Sequence, residues 1–172
     1  MKLSVPKLTL VALLLVAGLA FASSAQAGKM GYPSPDHASF FVDLPDGWEV
    51  TPGDEVGDFV DVNSDSGVYL AFRTIEGSES AMQEAIEDSV AYLKENYKGV
   101  NVGEPKDVTQ AGLSGFMMDG TGKDEDGTDI VFRMAWLALN DGHIGEIWFA
   151  APADDKAGIA AASKALNSFR AP

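Results

Sequence analysis

Residues 130–139 are apolar on both sides of an alternating pattern, and this constrains the fold more than any other stretch. Extended, they turn Ile130, Phe132, Met134 and Trp136 to one side and Val131, Arg133, Ala135 and Leu137 to the other. A strand that is apolar on both sides needs a layer above and a layer below it. The pattern therefore predicts a central strand of a sheet covered on both faces.

The other strands come in pairs. Residues 39–42 and 48–51 flank the turn Leu44-Pro45-Asp46-Gly47, and residues 59–62 and 68–75 flank the polar turn 63–67. Residues 101–108 read as a weaker extended segment and 113–119 as a strand. The Asp126-Gly127 hairpin signal and the turn Asn140-Asp141-Gly142 follow, and 144–151 return antiparallel. Residues 28–37, with two prolines and two glycines, read as an arm with no element of its own.

Two helices stand out. Ser78 or Ser80 can cap the first, and Ser80 with Gln83 fits a capping box. Met82, Ile86, Val90, Leu93 and Tyr97 then recur at helical spacing as one apolar stripe, while Glu87, Asp88 and Glu95 read as its solvated face. Asp154 or Asp155 opens the second helix, with Ile159, Ala162, Leu166 and Phe169 as its buried stripe. Hairpin-ordered strands with two main helices give an α+β fold built on a mainly antiparallel sheet.

The N-terminus reads as an export signal. Lys2 and Lys7 precede an almost wholly apolar run at 8–22, and small residues stand at Ala25 and Ala27. Cleavage after Ala27 starts the mature chain at Gly28; Ala20 and Ala22 offer a second small-x-small match. The other reading is an uncleaved anchor, for which the run falls short of the ~20 residues of a spanning helix. The expected layout is a signal peptide at 1–27, a mobile arm at 28–38 and one domain at 39–172, giving a periplasmic or secreted protein without stable membrane insertion.

Twelve basic residues face 26 acidic ones, a net charge of −14 in 172 residues, which argues against nucleic acid as a partner. The chain has no cysteine, which rules out disulfides, thiolate metal sites and a catalytic thiol.

The run Phe40-Phe41-Val42-Asp43-Leu44-Pro45-Asp46-Gly47-Trp48 resembles the opening pattern of the PsbP/Mog-like superfamily. That group includes the photosystem II subunit PsbP, Ran-binding Mog proteins and bacterial envelope proteins of the DcrB kind. The element order and the Gly112-Leu113-x-Gly115 element are similar too. The resemblance implies an α/β/α sandwich and a binding or accessory role rather than catalysis, and it carries over no catalytic residue. There is no lipobox cysteine such as its lipoprotein members carry.

Candidate site residues are few. Pro45 and Gly47 form a turn that swings Trp48 back to the sheet; an exposed Trp48 is instead a ligand platform. Arg133 interrupts the most apolar strand, so it either pairs with an acid or anchors an anionic ligand. Asp61, Asn63 and Asp65 alternate like the first half of a calcium loop, but Gly67 falls one place late and Phe72 stands where a bidentate glutamate belongs. A hairpin turn accounts for the same residues. The acids at 124–126 and Asp129 read as a solubilising hairpin tip.

His37 and His143 form no triad or zinc pattern, and neither Gly-x-Ser-x-Gly nor His-Glu-x-x-His occurs. The expectation is a non-enzymatic, cofactor-free envelope protein that binds an unknown envelope partner. The alternative is a small-ligand or Ca²⁺-binding module using its acidic loops.

Overall fold

The computed structural model describes residues 28–172, so the predicted signal peptide lies outside the described residues. Ten strands and two helices follow one another. The strands are β1 (Lys29–Tyr32), β2 (Phe40–Asp43), β3 (Glu49–Thr51), β4 (Val60–Asn63), β5 (Tyr69–Glu76), β6 (Lys98–Val102), β7 (Lys106–Gln110), β8 (Leu113–Lys123), β9 (Asp129–Ala138) and β10 (His143–Pro152). Helix α1 (Glu79–Asn96) follows β5, and α2 (Lys156–Asn167) follows β10.

Eight strands form one antiparallel sheet in the order β3-β4-β5-β10-β9-β8-β6, with β7 sharing the outer edge of β8. Strand β10 is central and β9 lies beside it, both covered on two faces as the apolar pattern requires. Ile130, Phe132, Met134 and Trp136 pack with Leu93 of α1 on one face. Leu137, Leu139, Ile147 and Phe149 pack with Ala162 and Ala165 of α2 on the other. The result is an α/β/α sandwich.

The segment expected as an arm contains an element after all. Strand β1 pairs with β2 as a separate two-stranded ribbon, and a 3₁₀ turn spans Pro35–His37. Tyr32 is buried and stacks on Phe40 at 5.2 Å, and Phe40 stacks on Phe169 at 4.6 Å. Tyr32 in the middle of this Pro- and Gly-rich stretch helps dock it, because burying a large ring offsets weak local propensity, and its hydroxyl donates to the Asp58 carbonyl at 2.9 Å and accepts from the Gly57 amide at 2.8 Å.

Other boundaries moved for local reasons. Ser78 caps α1, accepting from the Ala81 amide at 3.2 Å, while Gln83 donates to Glu87 instead of closing a box with Ser80. Asp155 caps α2, accepting from the Gly158 amide at 2.9 Å. The extended segment at 101–108 splits at Pro105, which has no amide to donate, into β6 and β7.

The expected turn before β3 is present, with Gly47 at φ +77° and Trp48 in the core. Gly115 meets a different demand: a β-carbon there lies 1.9 Å from the Trp136 carbonyl, so β8 approaches β9 more closely than a side chain permits.

Candidate binding cleft

The sheet face under α1 holds an acid with no exposure to solvent. Glu146 stands on β10 directly opposite Arg73 on β5 and is 0% exposed. Arg73 donates Nε to its Oε2 at 2.7 Å. Trp148 donates Nε1 to Oε1 at 3.1 Å, and Ser89 of α1 donates its hydroxyl to the same oxygen at 3.2 Å. An ion taken out of water costs several kcal/mol, and three donors on two oxygens are what offsets that here.

Glu146 also sets how α1 lies on the sheet. The predicted stripe Met82, Ile86, Val90, Leu93 and Tyr97 is only partly buried apart from Leu93, and the deepest line is Ala85, Ser89 and Leu93. The helix is rotated toward its small residues, so that the Ser89 hydroxyl reaches the carboxylate.

Beside this cluster opens a cleft of about 540 Å³ between the sheet and α1. Trp148 forms its inner wall, met edge-on by Phe59 at 6.5 Å and by Tyr92 at 5.7 Å. The Arg73 guanidinium lies over the Phe59 ring, 4.4 Å from its centroid. Tyr69 donates its hydroxyl to Asp61 Oδ1 at 2.6 Å. Burial first, and then this bond to a carboxylate, push the Tyr69 phenol well above its ordinary value. Asp88 and Glu95 of α1, expected on a solvated face, line the same cleft on either side of Tyr92.

The residues singled out in the sequence lie elsewhere, Asp61 excepted. Trp48 is 8% exposed and packs in the α2-side core, so it is no exposed platform. Arg133 lies on the α2 side, 45% exposed in its side chain, and donates Nε to Asp119 Oδ1 at 2.7 Å; it borders a second cleft beneath α2. Asp61 is engaged by Tyr69, and the turn at 63–67 is tied by Ser64, which receives the Val68 amide at 2.9 Å. Among the described residues, no three His, Cys, Asp or Glu side chains gather as metal ligands. His37 sits in the 3₁₀ turn, and His143 opens β10 with Nδ1 3.2 Å from Asp141.

The Arg73–Glu146 cluster escaped the sequence reading, though a signal for it existed. A lone acid interrupts the apolar run of β10 and a lone arginine that of β5, as Arg133 does in β9.

No family model and no curated protein matches the chain. Several solved structures share its fold. Cyanobacterial PsbP (CyanoP) from Synechocystis sp. PCC 6803 matches at 10% identity and TM-score 0.58, over 91% of this chain and 99% of that one. The Ran-binding protein Mog1p of Saccharomyces cerevisiae matches at 12% identity and TM-score 0.54, over 86% and 96%. LpqN of Mycobacterium tuberculosis, described as involved in cell envelope biogenesis, matches at 13% identity and TM-score 0.54, over 84% and 90%. The chain spans 46% of a Bacteroides thetaiotaomicron structure, with 14% identity and TM-score 0.51. The fold is PsbP/Mog-like, as the Leu-Pro-x-Gly-Trp resemblance implied.

Proposed function

We propose that this chain is an exported, non-enzymatic binding or accessory protein of the cell envelope, and that the cleft under α1 is its recognition site. The observation that carries the site assignment is the buried Glu146 with its three donors at the floor of an open aromatic cleft. So costly a charge fixes the Arg73, Trp148 and Ser89 side chains in one arrangement, which is what a preorganised binding surface requires. The sequence of residues 1–27 supports export. A PsbP/Mog-like neighbour concerned with envelope biogenesis is consistent with the location. In this reading neither a cofactor nor nucleic acid takes part, the net charge of −14 weighing against the latter.

The test has two parts. Fractionation of the native host should place the protein, shortened at its N-terminus, in the periplasm or medium. The purified protein and a Tyr92→Lys variant are then compared as bait in envelope extract, with and without Ca²⁺. A component retained by the wild type and lost with the variant supports the cleft. Equal retention by both moves the recognition site elsewhere. A cytoplasmic, full-length protein overturns the envelope assignment.

A further inference from the structure

We propose that the cleft under α1 takes an organic cation, a guanidinium or ammonium group carried on a small molecule, against the exposed ring of Tyr92 and between the Asp88 and Glu95 carboxylates. This rests on the cleft's being the recognition site and names what it recognises.

Aromatic walls come first. Trp148, Phe59 and Tyr92 meet edge to face with interplanar angles of 81° and 85°; Trp148 is buried as the wall, Phe59 carries Arg73, and Tyr92, 53% exposed, is the ring open to a ligand. Ring faces attract cations that are weakly hydrated, and an organic cation gives up its water more readily than a metal ion does.

The protein already holds one cation this way. Arg73 lies over Phe59 with its Nε on Glu146, a ring and a carboxylate sharing one guanidinium. The second half of the cleft repeats the arrangement without a cation of its own. Asp88, Tyr92 and Glu95 fall at i, i+4 and i+7 on α1, so two carboxylates flank the ring along one helix face. Neither Asp88 nor Glu95 forms an ion pair among the described residues.

Charge and size select further. Four carboxylates line the cleft against the single Arg73 guanidinium, and the net charge of −14 adds a field that repels anions. A volume of about 540 Å³ lies within the range of small-molecule pockets and exceeds what one protruding side chain fills.

The test is a ¹H–¹⁵N NMR titration of the purified protein with agmatine, choline and spermidine at millimolar concentrations. Urea and 3,3-dimethylbutan-1-ol serve as the neutral counterparts of guanidinium and choline. Saturable shifts at the Trp148 indole and along α1 are expected with at least one cation and with neither neutral compound. Tyr92→Ala and the pair Asp88→Asn/Glu95→Gln should each weaken binding about tenfold. All three positions are exposed, so the variants fold, and unchanged spectra away from the cleft check this.

Absence of saturation with every cation overturns the proposal, as does binding that the variants leave unchanged. Equal binding of the neutral compounds shows an apolar cleft and overturns the cation. Tenfold preference for a blocked Ala-Arg-Ala peptide over agmatine overturns the small molecule in favour of a partner's side chain. None of these results touches the envelope capture experiment, so the recognition site can survive the loss of the cation.

Discussion

Arg73 and Glu146 face each other across the β5–β10 ladder, and the two ends of this ion pair are solvated unequally. The Arg73 side chain keeps a quarter of its exposure, while Glu146 keeps none. The pair is therefore unequal in what its loss leaves behind. Removing the base leaves a buried carboxylate with only the Trp148 and Ser89 donors, whereas removing the acid frees a guanidinium that can turn to water but strands those two buried donors without their acceptor.

Arg73→Ala should accordingly cost about 3 kcal/mol of folding free energy, and Glu146→Gln, whose amide oxygen still accepts from Trp148 and Ser89, clearly less. A paired Arg73→Met/Glu146→Gln replacement should cost less than Arg73→Ala alone, because both charges go while an acceptor for Trp148 and Ser89 stays. Urea denaturation of the three variants checks the order. If Glu146→Gln proved the most costly, the carboxylate would not be the member that depends on its partner.

Tyr69 gives an alkaline signature. Its folded-state pKa is raised, so its proton stabilises the fold fully below the unfolded value near 10, and that contribution is lost as pH rises beyond it. Tyr97, raised by burial, acts in the same direction more weakly. Ultraviolet titration of phenolate absorbance should show Tyr69 ionising only with unfolding, at alkaline pH. Tyr69→Phe should remove that part of the alkaline loss of stability, measured against the wild type.

Trp48 separates stability from recognition. Set behind the Pro45-Asp46-Gly47 turn and packed in the α2-side core, it should cost about 3 kcal/mol or more as Trp48→Ala. Tyr92 is 53% exposed, so Tyr92→Ala should cost little stability and act on cleft binding alone. Thermal unfolding and cleft titration of the two variants should move in opposite combinations.

How far the sequence could be read follows the range of the interactions. Hairpins were legible because their turns are local: Gly47 and Gly142 occupy the positive φ that Pro-Asp-Gly and Asn-Asp-Gly announce. The two-faced pattern at 130–139 was legible because alternation is local as well. Strand β1 was not, since its docking depends on Tyr32 meeting Phe40, and Phe40 meeting Phe169 from the far end of the chain. The rotation of α1 onto Ala85 and Ser89 was hidden for the same reason, as it answers to Glu146, 57 residues beyond Ser89. The cleft needs β5, β10 and α1 assembled, and no spacing along one element encodes that meeting.

Arg133 and Asp119 form the counterpart pair on the opposite face, directly across the β8–β9 ladder. The acid has two cations: Arg133 at 2.7 Å and Lys106 at 3.3 Å. The hydrogen bond from Arg133, helped by Lys106, holds the Asp119 carboxyl below its ordinary value, against a smaller opposing effect of burial. A depressed carboxyl contributes stability that is present above the unfolded value near 4 and is lost as pH falls through the folded one. Both partners are more than a third exposed, so solvent screening limits the contribution to about 0.5 kcal/mol. Asp119→Asn should therefore lower stability slightly at neutral pH and not at pH values below the folded pKa, where the wild type has already lost the pair. Chemical denaturation across the acid range checks this. A deficit that persisted unchanged in acid would mean that Asp119 acts through packing rather than through charge.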